Sequence, residues 1–415
     1  MNDKELIPNL FRTEFSKIVS VISKRFGLEH IEIAEDIVSD TFLLASETWG
    51  LKGLPENPTA WLYVVAKNKT KDYLKRSNLF TRKIAKELKN NSEKLVELEI
   101  DLSDENIFDS QLQMMFTICH PSIPKESQIA LSLKILCGFG IDEIAVAFLT
   151  NKENINKRLF RAKSKIKKEK IKIELPNEQE IINRLENVVS TLYLLFNEGY
   201  YSLSDNNVIR KDLCFEAMRL THLLIKNEAT NKPYVNALLS LMCFHSSRFD
   251  ARFSDTGEII LYEEQNKNLW NDELIAKGNY YLIKSTRGNE ISKYHLEASI
   301  AYWHCSKLEK KNKWENILQL YNQLLQMQYS PIAALNRTYA LSKAKNKTVA
   351  IKEAEKLKLE NNHLYHSLLG ELYKNIDNSK ALKHLEISYS LAKTDSDKSS
   401  ILNKITTLKN LLKSG

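Results

Sequence analysis

Within the stretch PTAWLYVVAKNKTKDYLKR, residues 58 to 76, cations, aromatics and small polar groups recur at helical spacing. Lys67, Lys71 and Lys75 stand at i, i+4 and i+8, so on a helix they form one stripe suited to phosphates. Leu62, Val65, Ala66 and Tyr73 gather on the other side, where they can pack into a core. Trp61, Asn68 and Asp72 share the edge between these faces, and Arg76 continues the positive charge. A polar, aromatic edge beside a cationic stripe can hold an unstacked base while its backbone is neutralised. That chemistry is binding, with no bond made or broken. Taken alone, the same pattern also describes a solvated amphipathic helix.

A second basic stretch is IDEIAVAFLTNKENINKRLFRAKSKI, residues 141 to 166. Ile144, Ala145 and Phe148 form the apolar side of a short helix, and Ala145 is small enough to let two helices cross closely. LTN makes a turn in which Asn151 can cap the next helix. Ile155, Leu159, Ala162 and Ile166 then form the apolar side of that second helix. This leaves Lys152, Glu153, Asn154, Asn156, Lys157 and Arg161 facing outward, with the helix N-terminus free to enter a major groove. Leu149 occupies the turn position where glycine is common, so the turn geometry stays open, and an ordinary helical hairpin with a solvated basic face is the alternative.

Groups that could do bond chemistry are present but unaccompanied. Asn197, Glu198, Asp212, Glu216, Arg219, His245, Glu263 and Glu264 could line a pocket. No glycine-rich phosphate loop, G-x-S-x-G, H-E-x-x-H or metal pair goes with them, so we read them as hydrogen-bonded networks joining helices. Five cysteines are scattered without a C-x-x-C, and Cys119-His120 has no second pair at zinc spacing. No metal and no cofactor are expected, and no enzymatic activity.

The elements that must position these groups are helices. Eleven glycines and eight prolines are few for 415 residues, and 43% hydrophobic content suffices for two or three domains. Residues 5 to 78 read as consecutive helices, with Leu10, Phe11, Phe15, Ile18, Val19, Ile22 and Phe26 in phase up to Gly27. Residues 79 to 109 are polar and weakly periodic, a linker with room for one helix. A second block, 110 to 172, ends in a basic run, and LPNEQE marks a boundary near 176. From 178 to 415 only helices are expected. Residues 313 to 346 read as one helix-turn-helix unit, with a looser second one after it, which is tetratricopeptide-like packing or a plain helical bundle. The net charge of +8 is concentrated in 67 to 89 and 152 to 172, which calls for an anionic partner of the N-terminal part. No apolar run reaches membrane-spanning length and the N-terminus has no secretory pattern, so a cytoplasmic protein without a membrane partner is expected.

AEDIVSDTF (34 to 42), then the 58 to 76 stretch, then a linker and a basic helix-turn-helix resemble RNA polymerase sigma factors of the small extracytoplasmic-function type. The resemblance spans most of residues 5 to 172. It implies region 2 at 5 to 78, a linker at 79 to 109 and region 4 at 110 to 172, all helical. Glu35, Asp36, Asp40 and Phe42 match the helix that docks on the polymerase β′ coiled coil. Trp61, Lys67, Asn68, Lys71, Asp72, Lys75 and Arg76 match the helix that melts and reads the −10 element. Asn151, Lys152, Asn154, Asn156, Lys157, Arg158 and Arg161 match the recognition helix for the −35 element, although Arg158 abuts Leu159 on the buried side and can instead support the fold. YLLFNEGYYS (193 to 202), RKDLCFEAMRL (210 to 220) and GEIILYEEQNKNLWNDELIAKG (257 to 278) resemble the C-terminal extension of a sigma-factor subgroup. There a tetratricopeptide-like domain, here 178 to 415, is thought to govern activity in place of a separate anti-sigma factor.

The resemblance therefore implies promoter recognition and transcription initiation, with core RNA polymerase (β′ and β subunits) and promoter DNA as partners. The extension would bind a regulatory protein or the chain's own DNA-binding blocks. A helix-turn-helix regulator that never engages polymerase, and a helical scaffold or adaptor with solvated basic faces, remain the alternatives.

Overall fold

Short polar residues set where these helices begin. Side-chain oxygens of Ser103, Asn151, Asn271, Ser330, Asn346, Asn362 and Asp377 each accept a backbone N–H from the first turn of a helix, meeting donors that no helical turn can satisfy. The structure is a computed structural model and describes residues 3–27, 30–76, 100–148, 150–200, 207–252, 260, 262–306 and 312–414. The fold is all-α, with no strand among the described residues. Residues 77–99, which hold most of the expected linker, and the turn residue Leu149 lie outside the described residues.

The chain divides into two compact units, residues 1–204 with 215–230 and residues 205–214 with 231–415. In the first unit, α1 (Asp3–Phe26) ends at Gly27, where a φ of 87° suits a residue without Cβ. Phe15, Ile18, Val19 and Ile22 of α1 are buried against α2 (Ile31–Lys52) and α3 (Pro58–Arg76). In α3 the buried stripe is Leu62, Ala66 and Thr70, at i, i+4 and i+8. Thr70 fits there because its hydroxyl donates to Ala66 O at 2.7 Å. Val65 and Tyr73 are half-buried, Tyr73 meeting the edge of Phe26.

Ser103 starts α4 (Asp104–Ile118), so the last residues of the expected linker are helical, with Asp104 and Glu105 favourably placed in the first turn. After it come α5 (Lys125–Leu131), a π turn (Ser132–Leu136), α6 (Ile141–Ala147) and α7 (Lys152–Glu169). The unit then runs past residue 178 into α8 (Glu178–Tyr200) and part of α9 (Asn207–Lys226). Polar bonds explain why. Arg184 donates to Phe116 O at 2.6 Å, Asn187 donates to Cys119 O, and Thr191 donates to Gln128 Oε1 at 2.6 Å. Lys125 donates back to Asn187 O at 2.9 Å, and Arg219 of α9 donates to Leu136 O at 2.7 Å.

The second unit is built on α10 (Pro233–Ser246), whose Val235 to Phe244 are all buried. After the short α11 (Phe249–Arg252), α12 (Asp272–Ser285) and α13 (Lys293–Cys305) pack on it. Gly278 of α12 lies directly on the buried Phe244 ring, and Ser240 donates to Gly278 O at 2.8 Å. Helix pairs complete the unit: α14 (Lys313–Met327) with α15 (Pro331–Ala344), then α16 (Lys347–Glu355), and α17 (His363–Tyr373) with α18 (Asn378–Leu391), closed by α19 (Asp395–Ser414). The two pairs correspond to the repeat-like units expected at 313 to 346 and after it. One core of aliphatic side chains, including Ile317, Leu318, Leu335, Leu369, Leu385 and Ile405, runs through them. Among the described residues no helix is long and apolar enough to cross a membrane.

A Cβ at Gly278 would sit 2.7 Å from Phe244 Cε1, whereas one at Gly50 of α2 would meet nothing within 4 Å. Gly278→Ala is expected to cost about 1–3 kcal/mol, read as a lower thermal midpoint. Gly50→Ala should leave the midpoint unchanged or raise it.

Candidate nucleic-acid interface

The helix-turn-helix is built from the apolar side up. Ile155, Leu159, Ala162 and Ile166 of α7 are all buried, as are Ile144 and Ala145 of α6. Asn151 Oδ1 accepts Asn154 N at 2.8 Å, and Asn154 Nδ2 donates to Thr150 Oγ1 at 3.1 Å, which fixes the entry to α7. Asn151 and Asn154 therefore spend these groups on the turn. Lys152, Asn156, Lys157 and Arg161 lie on the exposed face, with Phe160 70% exposed among them. Lys152 pairs with Asp142 at 2.6 Å and Lys157 with Glu153 at 2.6 Å, ion pairs weak enough at the surface to yield to phosphates.

Arg158 is half-buried, its guanidinium 5.2 Å from the Phe148 ring centre and its Nη1 without a hydrogen-bond partner among the described residues. It faces inward, toward Glu198 of α8. Burial holds Glu198 above the ordinary carboxylate range, against the pull of Arg158. The role that fits Arg158 is support of the fold, so it drops out of the expected base-reading set.

On α3, Asn68, Asp72, Lys75 and Arg76 are exposed and Trp61, Lys67 and Lys71 are half-buried. Trp61 rests edge-on against Trp49 of α2 at 5.3 Å, which fixes the aromatic edge beside Asn68 and Asp72. Two contacts on this helix are not legible in the sequence. Tyr63 donates to Glu14 Oε2 at 2.6 Å, and burial together with that carboxylate holds the phenol far above its usual range. A shallow cleft of about 390 Å³ lies between Tyr63, Val64 and Lys67 of α3 and Ile100, Asp101 and Leu102. Asp101 is held below the usual carboxylate range by hydrogen bonds from Ser103 N and Oγ, with Lys67 adding to the effect.

The residues expected to dock on polymerase separate into three kinds. Asp36 and Asp40 are exposed on α2, Asp40 within 3.7 Å of Lys69 Nζ. Glu35 is covered, its side chain 12% exposed and paired with Lys163. Phe42 is a core residue, 5% exposed and edge-on to Phe11 at 5.0 Å, so no outside partner can touch it. That correction follows from phase, since Phe42 continues the buried Val38 and Ala45 face. Exposed Leu43, Leu44 and Leu51 stand on the same helix.

The eight polar residues considered for a pocket fall in both units, Asn197, Glu198, Glu216 and Arg219 in the first and Asp212, His245, Glu263 and Glu264 in the second. Arg219 binds Glu216 at 2.9 Å and Gln111 at 3.4 Å besides Leu136 O. Glu263 accepts from Tyr339 at 2.8 Å and pairs with Lys343 at 2.6 Å. His245 is half-buried and held well below its usual pKa by desolvation, with Arg248 and Arg252 adding to the effect. All five cysteines are buried, and none forms a disulfide.

Residues 184–286 match a family of unknown function, DUF6596. An uncharacterized protein of Rhizobium meliloti (strain 1021) is 31% identical over 351 residues, which cover 84% of this chain and 83% of that protein. The chain belongs to the family of that Rhizobium protein. No solved structure matches it. The DUF6596 segment opens at Arg184, the residue that donates to Phe116 O, and it contains Asn187, Thr191, Glu198 and Arg219. It therefore contributes helices to the first unit as well as α10 and α12 to the second.

Because Glu198 is raised in the fold, it contributes stability below the unfolded carboxylate value, about 4.3, which is lost as pH rises through its folded value. Glu198→Gln is expected to melt higher than the unaltered protein at pH 8, with the gap closing toward pH 4. Arg219→Ala should lower stability by about 2–3 kcal/mol in denaturant unfolding, since it leaves Leu136 O and Glu216 without their charged donor.

Proposed function

We propose that this protein is a cytoplasmic RNA polymerase sigma factor of the extracytoplasmic-function type, regulated through its C-terminal helices. One observation carries the reading. A single unit holds a helix-turn-helix whose apolar side is closed and whose exposed face bears Lys152, Asn156, Lys157 and Arg161, together with α3 and its cationic stripe. Two separate DNA-facing elements in one unit suit a protein that touches a promoter at two places.

In this reading α7 enters a major groove at the −35 element, where Arg161 and Asn156 can meet base edges and Lys152 and Lys157 phosphates. Trp61, Asn68 and Asp72 border the place where a −10 base is held once unstacked, while Lys67, Lys71, Lys75 and Arg76 neutralise the strand. Asp36, Asp40 and the exposed Leu43 and Leu44 of α2 form an acidic, apolar surface for the polymerase β′ subunit. Binding energy does the work of opening DNA, and the reaction chemistry belongs to the polymerase. The second unit binds a regulatory partner or the chain's own DNA-binding blocks.

Transcription in vitro from core polymerase and a matched promoter should require the full-length protein, and the protein should be retained by immobilised core polymerase. DNA binding without polymerase retention would point instead to a helix-turn-helix regulator, and a flat salt dependence to a scaffold. Replacing Lys71 or Lys75 with Gln should reduce the slope of log affinity against log salt by about 1, equally on all sequences. Arg161→Ala should cost about 1–3 kcal/mol and relax preference at one base pair.

A further inference from the structure

His366 of α17 and His384 of α18 meet across the seam of that helix pair, Nδ1 of one ring 3.0 Å from Nδ1 of the other. On its far side the His366 ring places Nε2 2.9 Å from Glu360 O. A backbone carbonyl can only accept, so Nε2 of His366 carries a hydrogen and, in the neutral ring, its Nδ1 is bare. The hydrogen between the rings therefore sits on Nδ1 of His384. One carbonyl thus sets the tautomer of both residues.

The pair answers to protons in two steps. A first added proton can settle on Nε2 of His384 and leave both hydrogen bonds in place. A second must go to Nδ1 of His366, which turns N–H···N into two N–H groups aimed at each other. Two positive rings would then stand with their centres 5.3 Å apart. His366 is buried, so water is poorly placed to relieve the clash.

The surrounding charges resist this second step more than they favour it. Burial, and then His366, holds His384 below the ordinary histidine value; Lys383 and Lys380 of α18 add to the effect and Glu355 of α16 opposes it. Glu355 is itself engaged by the Tyr373 hydroxyl at 2.6 Å. Where α15 and α17 meet, Glu371 acts on Tyr339. From α19, Lys409 pairs with Glu386 at 3.1 Å, and Asp397 stands 3.7 Å from His363. Protonation strengthens the His363 pair, so that pair works against any loosening by acid.

Packing gives the rings little room to step aside. His384 is stacked on Tyr373 as well as on His366, at 5.8 Å and 6°. One residue on, a Cβ at Gly370 would sit 2.7 Å from Leu385 Cγ, so the two helices already touch at their closest. Repulsion at the rings is thus passed to the helices themselves.

From this geometry we infer a proton-operated switch: the His366–His384 pair holds α17 on α18 while it carries at most one added proton, and a second parts the helices, baring Leu369, Leu372 and Leu385 of their shared core. The switch belongs to the second unit and stands apart from the sigma-factor reading. Because His384 is held low in the fold, the unfolded chain binds more protons once pH falls below about 6.5. The stability the pair contributes is present in full above that value and is lost as pH falls through the folded value.

The test is amide exchange of the full-length protein at pH 7 and pH 5, corrected for the pH dependence of exchange itself. Protection over residues 363–391 should fall about tenfold further than over 331–344 of α15, which carries no histidine. An equal change in the two stretches overturns the switch. In His384→Asn the amide can donate to Nδ1 of His366 or, turned over, accept from it, and it takes up no proton. That variant should keep its protection at pH 7 and lose the extra fall at pH 5. A fall like that of the unaltered protein also overturns the switch. Should the variant be loose already at pH 7, the imidazole proton resonances of the unaltered protein decide. The two rings should charge in steps more than about one pH unit apart, and a single shared step overturns the switch.

Discussion

Backbone carbonyls left over at helix ends are the constraint on which the first unit depends. Phe116 O and Cys119 O close α4, and Leu136 O closes the π turn, and no further turn of helix can satisfy them. A buried carbonyl without a donor costs as much as a lost hydrogen bond, so something must reach in. Arg184, Asn187 and Arg219 do so from α8 and α9. The ends of α4 and of the π turn are therefore held in place by side chains that arrive much later in the chain. This is why the first unit does not stop where its composition changes.

Two grades of contact coexist in that unit. The carbonyl fastenings are charge-assisted or deeply placed and come with an aliphatic core around Leu112, Met115, Ile129 and Leu185. Between α2 and α7 stand ion pairs of Lys163 with Glu35 at 3.0 Å and with Glu32 at 3.6 Å. The arrangement leaves the helix-turn-helix itself undisturbed, because its own apolar face is closed by Ile155, Leu159, Ala162 and Ile166.

Local pattern carries much of this and fails where distance or context takes over. The four apolar positions of α7 and the Asn151 cap are legible because period and capping chemistry act within a few residues. The fold class follows from the same periodicity and from scarce glycine and proline. Thr70 does not read as core because its hydroxyl suggests surface, although an internal bond to Ala66 O makes it pack like an apolar group. Period alone sets Phe42 on one apolar face with Val38 and Ala45, and it lies inside, although the resemblance matches it to a docking helix. Ser103 with Asp104 and Glu105 announces a helix start that the polar tone of the segment conceals. Glu35 and Lys163 are 128 positions apart, and nothing periodic links them. Arg219 is a similar case, since its targets on Gln111 and Leu136 exist only once three helices have met.

The division of α9 between the units bears on how the protein is made. Residues 205–214 cluster with the second unit and 215–230 with the first, so the chain leaves the first unit, returns to it and leaves again. A ribosome releases the chain from the N-terminus, and domains ordinarily fold as they emerge. Here α4 and the π turn would be synthesised long before Arg184 and Arg219, and their end carbonyls would wait unbonded until then. The growing chain therefore passes through a period in which α4 and the π turn exist without their final supports. Completion of the first unit waits on residues as late as 230.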